Sequence, residues 1–196
     1  MLAIALLETL VAKHPDNMDY STTLARNCVN VAIVLKELDR VDESIAMYDR
    51  GSSLLIPWVE KYPDDEIAGS LLAIIYNNTG IHDVSGAQFG DAVDRLRKAI
   101  SIHERLVLAH PQKLIFRNSL GLHHTSLGDA LEKMGDLDGA ITEHRHAVRV
   151  FVANWKMAPE HDRFAYSLAS GYGNCGSCLK QRGEYDEAVR FQQLAV

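Results

Sequence analysis

Cys175 and Cys178 form the pattern in this chain that comes nearest to a reactive or metal-binding motif. A zinc site needs about four ligands, and the sequence has neither a second pair of cysteines at this spacing nor two histidines four residues apart. A thioredoxin-type motif needs a βαβ context, and haem attachment needs a histidine directly after the second cysteine. Both are absent, so we interpret the two cysteines as small residues inside a helix.

The nine histidines show no ligand spacing either. His123 and His124 are expected on different faces of a helix, and His144 and His146 are only two residues apart, so neither pair meets on one face. Glycine-rich phosphate loops and nucleophile-elbow motifs are absent from the sequence. We therefore expect no enzymatic activity, no catalytic residue, no metal site and no cofactor.

The composition narrows the class of partner. The 196 residues carry a formal net charge of −6, so the chain lacks the basic surface that binds nucleic acids and anionic membranes.

No apolar run reaches the roughly 18 residues of a membrane span. The apolar start of the chain has no basic segment before it, and we interpret it as a helix and not as a signal peptide. Three cysteines do not suggest a disulfide framework and favour the reducing cytoplasm.

An internal repeat predicts the elements that position any functional residue. Four prolines are spaced 48 residues apart: Pro15, Pro63, Pro111 and Pro159. Other residues keep the same period, among them Leu24, Leu72, Leu120 and Leu168, and the small residues Ala32, Gly80, Gly128 and Gly176. This agreement in four copies without a gap predicts one structural unit repeated along the chain.

The repeat predicts that residues 1–196 form a single solenoid. Residues 1–14 are expected to be the last helix of a truncated preceding repeat. The complete repeats are expected at 15–62, 63–110 and 111–158, and an incomplete fourth repeat at 159–196.

Each repeat is predicted to contain two helices, which we call helix A and helix B. Apolar residues recur at spacings of three and four, and no segment alternates with a period of two. In the third repeat, helix A should run from about residue 112 to 134 and helix B from about 137 to 157. Gly135 stands between them, where a helix end favours a left-handed residue.

The pattern resembles the tetratricopeptide repeat, whose consensus has Leu-Gly-x2-Tyr in helix A and Ala-x3-Phe in helix B. Residues 72–76 and 168–172, both Leu-Ala-x2-Tyr, fit the first part, and residues 44–48, Ser-x3-Tyr, stand where the second part belongs. The tryptophan that opens the consensus is missing from all four repeats. The usual period is about 34 residues, and a gain of about two turns in each helix accounts for the longer period here.

The resemblance implies an all-α, right-handed superhelical solenoid of antiparallel helix hairpins. It also implies a protein-interaction scaffold, and the long repeats are similar to arrays attached to bacterial signalling proteins, serine/threonine kinases among them. We therefore expect a cytoplasmic, non-enzymatic scaffold that binds a protein or peptide partner, with no nucleic acid or membrane as a ligand.

In this family, helix A lines the concave surface that holds the partner. At about 100° per residue, the side of each helix A opposite the repeated leucine carries apolar residues ringed by Asn, Arg and Tyr. Ile67, Ile74 and Ile81 are seven residues apart and share one stripe. The expected partner-binding residues are Arg26, Asn30, Ile67, Ile74, Asn77, Asn78, Ile81, Ile115, Asn118, Leu122, Ser126, Arg163, Tyr166 and Asn174.

Several alternatives remain open from the sequence. Tight curvature would pack the apolar residues of this surface against each other, and the recurring asparagines would then hydrogen-bond between neighbouring helices. Alternatively, the chain would form a homodimer through its uncapped ends or its concave groove, and would then be the self-association module of a larger signalling protein. A small-molecule-binding or enzymatic domain would need a pocket at Tyr76, His123, His124 and Tyr172.

Overall fold

In the computed structural model, which describes residues 2–195, the chain consists of nine α-helices and, over that range, no β-strand. The helices are α1 (Leu2–Lys13), α2 (Met18–Glu37), α3 (Val41–Lys61), α4 (Glu66–Ser85), α5 (Phe89–Ala109), α6 (Leu114–Met134), α7 (Leu137–Met157), α8 (Asp162–Arg182) and α9 (Tyr185–Leu194). The expected all-α class is confirmed. None of these helices is both long and apolar enough to cross a membrane.

The helix boundaries recur with the period of the sequence. The A helices α2, α4, α6 and α8 begin at residues 18, 66, 114 and 162, and the B helices α3, α5, α7 and α9 begin at 41, 89, 137 and 185. Helix α6 begins two residues later than expected, because the N–H of Lys113 bonds to the carbonyl of His110 and closes a turn there. The four repeat prolines lie in such turns, where the missing N–H leaves no helical hydrogen bond unmade.

The turn from each A helix to its B helix contains a left-handed residue. Gly135 and Gly183 have φ angles of 91° and 89°, as the sequence predicts for Gly135. Asp39 and Ala87 occupy the same place in the first two repeats, both with φ of 58°. A Cβ atom is disfavoured in this conformation, so the turn at Ala87 carries backbone strain that the glycine turns avoid.

The chain forms two compact units. Unit 1 ends at Thr79 and unit 2 begins at Gly80, so α4 contributes residues to both. In unit 1, α1 packs on α2 and α2 packs on α3. In unit 2, each helix from α5 to α9 packs on the next, and the A helices α6 and α8 are in direct contact. Packing between sequence neighbours is how helical-repeat proteins bury a core.

Each unit has its own apolar core. In unit 1, Leu24 and Cys28 of α2 are buried with Ile4 of α1. In unit 2, Leu96 and Ile141 belong to a larger cluster that extends from α5 to α9. Full burial of an aliphatic side chain contributes roughly 1.5–3 kcal/mol, so these clusters hold the A helices in place.

Glycines allow the A and B helices of unit 2 to approach closely. A Cβ atom on Gly80 would lie 2.8 Å from the Leu96 side chain, and one on Gly128 would lie 2.6 Å from the His144 ring. Gly176 is equally close to the side chain of Gln192. The three pairs are 48 residues apart. At the same place in each repeat, a glycine of the A helix thus contacts a large side chain of the B helix, and that side chain differs from repeat to repeat.

Candidate functional site

One side of α6 is open to solvent along its length. Ile115 and Leu122 lie on this side, with 42% and 41% of their surfaces exposed, and Ser126 is half-buried beside them. Ile115 and Leu122 are seven residues apart, close to two helical turns, so they belong to one stripe. Exposed apolar residues on a helix that is otherwise packed mark a surface suited to contact with another molecule.

The neighbouring A helix, α8, adds polar and aromatic groups. Arg163 and Tyr166 are exposed near its start, Tyr166 to 76%, and Asn174 is half-buried about two turns later. Helices α6 and α8 are in direct contact in unit 2. We call Ile115, Leu122, Arg163 and Tyr166 the A-helix face.

The expectation that Asn118 contributes to this surface is wrong, because its side chain is fully buried, with 0% exposed. Asn118 lies about one turn from Leu114 and Gly121, on the side of α6 that faces α7. There Asn154 donates a hydrogen bond to the carbonyl of Leu114 at 2.9 Å, and the ring of Phe151 lies against Gly121. The amide of Asn118 is therefore out of reach of a partner.

The expected residues of unit 1 differ in accessibility. Arg26 and Asn30 are exposed on α2, and Ile67 is exposed near the start of α4. Ile74 and Asn77 are half-buried further along α4. The most accessible part of the predicted set in unit 1 is therefore Arg26, Asn30 and Ile67.

Asn78 takes part in a contact between helices. Its Nδ2 donates a hydrogen bond to the hydroxyl of Tyr48 at 3.0 Å, which links α4 to α3 within unit 1. Burial raises the pKa of Tyr48, although this hydrogen bond opposes the rise. In the structure, Asn78 thus makes the hydrogen bond between helices that the sequence left open as an alternative.

Ile81, which belongs to unit 2, is half-buried.

Two histidines distant in sequence form a buried pair in unit 2. The Nε2 atom of His123 lies 3.0 Å from the Nδ1 atom of His103. Burial lowers the pKa of His103 to about 4. Burial, with the nearby His103 and His124, lowers the pKa of His123 to about 3. Both rings are therefore neutral at pH 7. His124 faces another side of α6, where its Nδ1 lies 2.7 Å from Glu143, as expected for adjacent residues on a helix.

The three cysteines are free thiols and are buried. Ligand atoms of Glu132, His144 and Cys178 lie within 4.8 Å of one another. These residues come from α6, α7 and α8, so they are the side chains of the described region that could hold a metal ion together. The sequence analysis predicted no metal site because it looked for ligands at a regular spacing along the chain. Ligands that come from three different helices have no such spacing.

The comparisons with known proteins bear on the fold. No protein-family model matches the chain, and no curated protein matches it. The chain is similar to the crystal structure of MamA, with a TM-score of 0.57 and 16% identity over 98% of this chain and 84% of that one. It is also similar to the crystal structure of BtubC (BKLC) from P. vanneervenii, with a TM-score of 0.43 and 13% identity over 98% and 85% of the two chains. MamA is TPR-like, and the fold of this chain is accordingly a TPR-like solenoid of helix hairpins.

Proposed function

We propose that this chain is a protein-interaction scaffold that binds a helix or an extended peptide of a partner on its A helices. The A-helix face of unit 2 is the observation that carries this proposal. Its apolar centre, Ile115 and Leu122, is exposed, and Arg163 and Tyr166 are exposed on α8, which is in direct contact with α6. An apolar centre with aromatic and arginine neighbours is the usual anatomy of a protein interface.

The mechanism of such a scaffold is the presentation of a preformed surface. The packed cores of the helix hairpins hold α6 and α8 in place, so these helices need not fold when a partner binds. The entropy cost of binding then falls mainly on the partner segment. An amphipathic helix would place its apolar stripe over Ile115 and Leu122.

The same proposal covers the organisation and setting of the chain. The recurrence of helix starts supports a single array with a truncated repeat at 1–14, full repeats at 15–62, 63–110 and 111–158, and a partial repeat at 159–196. We propose that this array is a 48-residue variant of the tetratricopeptide repeat within a larger cytoplasmic signalling protein. Free thiols fit a reducing compartment, and the proposal includes no catalysis, nucleic acid or membrane.

The test compares the wild-type chain with the variant Ile115→Glu/Leu122→Glu as immobilised bait in a native lysate. Leu108→Glu is the matched control, because Leu108 is an exposed leucine, 81% accessible, on the B helix α5. We expect a partner that the wild type and the control retain and that the double variant loses. Circular dichroism establishes that all three chains are folded.

Two results would contradict the proposal. Equal retention of every bound protein by the folded double variant would place the binding surface elsewhere. Equal loss in Leu108→Glu would show that the loss of binding is not specific to the A-helix face.

A second candidate function, self-association, is favoured by the surface of α9. Tyr185 and Val189 are exposed there, beside an open groove of about 510 Å³ between α8 and α9. A second copy of the chain would bury these residues. Light scattering over a wide concentration range tests this candidate, with Val189→Glu as the variant that should shift the mass toward the monomer. A monomer mass at every concentration would exclude it.

A further inference from the structure

Three helices of unit 2 bring side chains with metal-binding groups to one point. Glu132 of α6, His144 of α7 and Cys178 of α8 each place a ligand atom within 4.8 Å of the other two. Carboxylate, imidazole and thiolate are the ligand types that zinc takes in proteins. His144 and Cys178 are buried and Glu132 is half-buried, so the cluster lies at the edge of the core.

His144 is the member of this cluster that packing alone does not explain. Its side chain is 1% exposed, and neither ring nitrogen has a hydrogen-bond partner among the described residues. A buried imidazole without partners is unfavourable, because both of its nitrogens have lost their contact with water.

The preceding repeat shows what the same place looks like when it serves packing only. The residues 48 positions before Glu132, His144 and Cys178 are Val84, Leu96 and Ala130, all of them apolar. Leu96 and Ala130 are buried in the core of unit 2. The fold therefore accepts an apolar set at these three positions, and one repeat later the equivalent positions carry three potential ligands instead.

Asp129 lies beside His144 on the open side of the cluster, outside the three residues whose ligand atoms lie within 4.8 Å of one another. Its Oδ1 lies 3.7 Å from Nε2 of His144, which is too far for a hydrogen bond. Two ligands of one tetrahedral zinc ion are separated by about 3.3–3.8 Å, given the usual bond lengths. Asp129 stands three residues before Glu132 on the same face of α6, and about half of its side chain is exposed, which gives a cation a path from solvent.

The charges of this cluster also favour a cation. Asp129 and Glu132 stand one turn apart on α6, and a bound cation would relieve the repulsion between two neighbouring carboxylates.

We propose that Glu132, His144 and Cys178 bind one Zn²⁺ ion that joins α6, α7 and α8, and that the half-exposed side chain of Asp129 turns toward the ion as the fourth ligand. When the ion binds, the thiol of Cys178 releases its proton to solvent and the sulfur forms the bond to zinc. Four protein ligands complete a tetrahedral site, so the ion has a structural role. It cross-links three helices that already pack on each other.

The experiment is a titration of the metal-free full chain with Co²⁺, followed by displacement with Zn²⁺. Cobalt bound by a thiolate gives a sulfur-to-metal charge-transfer absorption, which separates this site from binding by surface histidines. The variants are His144→Leu and Cys178→Ala, which install the residues of the preceding repeat. Cys175→Ala is the matched control, since it removes a buried thiol of the same helix that lies outside the cluster.

We expect the wild type and Cys175→Ala to bind one equivalent of cobalt with the charge-transfer absorption. His144→Leu and Cys178→Ala should bind at least about 10-fold more weakly, and Cys178→Ala should lack the absorption. Zn²⁺ should also raise the melting temperature of the wild type more than that of Glu132→Gln, a change that keeps the size of the side chain.

Three results would overturn the proposal. The first is cobalt binding without a thiolate absorption in the wild type. The second is equal metal affinity in the wild type, His144→Leu and Cys178→Ala. The third is a loss of affinity in Cys175→Ala as large as that in Cys178→Ala. The melting temperatures of the wild type and Glu132→Gln are measured with and without zinc. The proposal can therefore be tested even if His144→Leu or Cys178→Ala does not fold.

Discussion

The junction of α3 with α4 and the junction of α5 with α6 occupy the same place in successive repeats but differ in chemistry. In unit 1, Leu55 and Ile75 are buried there, with 0% and 2% exposed. In unit 2, the residues 48 positions later are His103 and His123, which are also buried and lie 3.0 Å apart. The repeat therefore requires buried side chains at this place, but it accepts either aliphatic or imidazole side chains there.

The third junction, between α7 and α8, shows that the volume can also be divided differently. Phe151 and Gly171 stand there, and a Cβ atom on Gly171 would lie 2.9 Å from the Phe151 ring. One large residue thus takes space that two medium residues share in the other junctions. The pair as a whole, and not either residue alone, fits the space between helices.

The largest effect should come from emptying this third junction. Phe151→Ala removes a side chain that is 1% exposed, and we expect it to lower the free energy of unfolding by about 3–5 kcal/mol. Urea unfolding monitored by circular dichroism and by the fluorescence of Trp58 and Trp155 measures the loss.

A double variant sharpens the argument about volume. Phe151→Leu/Gly171→Ile installs the pair found in unit 1, so it should be more stable than Phe151→Leu alone. If adding Gly171→Ile instead makes Phe151→Leu less stable, the volume of the pair is not what the junction requires.

The next largest effect concerns pH. The pKa of His103 is about 4 in the folded chain and close to 6.5 when unfolded, so below pH 6.5 the unfolded chain binds a proton that the folded chain does not. The free energy of unfolding should therefore be highest above pH 6.5 and should fall as the pH drops from about 6.5 to 4. The loss should be on the order of 3 kcal/mol from His103, with His123 acting in the same direction.

The control for this pH dependence is His103→Leu/His123→Ile, which gives unit 2 the chemistry of unit 1. Its stability should change less over the same pH range, as measured by urea unfolding at each pH. An unchanged pH dependence in this variant would show that other groups cause the loss of stability.

A smaller effect is expected from the polar contact between α3 and α4. Tyr48→Phe removes the hydrogen bond from Asn78, and we expect the free energy of unfolding to fall by about 1 kcal/mol. A double-mutant cycle with Asn78→Ala isolates the contribution of the pair. A coupling energy near zero would contradict a stabilising role for this contact.

The smallest effect is expected at the turns. Ala87→Gly should raise the free energy of unfolding by about 0.5–1 kcal/mol, because glycine adopts the positive φ of this position without strain. Gly135→Ala should have the opposite sign at the equivalent turn. Thermal unfolding of the two variants compares them directly, and a loss of stability in Ala87→Gly would mean that the turn at Ala87 is not strained.

The sequence by itself determined the class of the fold and the period of its elements. The spacing of the four prolines and the 3.6-residue pattern of apolar side chains predicted paired helices. The structure has both helices of the third repeat within two residues of the predicted bounds. Gly135 marked the turn because only local backbone geometry decides that position. These features depend on interactions within a few residues along the chain, and such interactions leave a periodic trace.

Only the tertiary structure decided which side chains meet between helices. The pattern of α6 placed Asn118 on the open stripe, but α7 covers that side of the helix. The pairing of His103 with His123 depends on how α5 packs on α6. In the same way, the close approach of Glu132, His144 and Cys178 depends on how α6, α7 and α8 pack on one another. The position of one helix against another is fixed by packing summed over many distant residues, so no single stretch of the sequence records it.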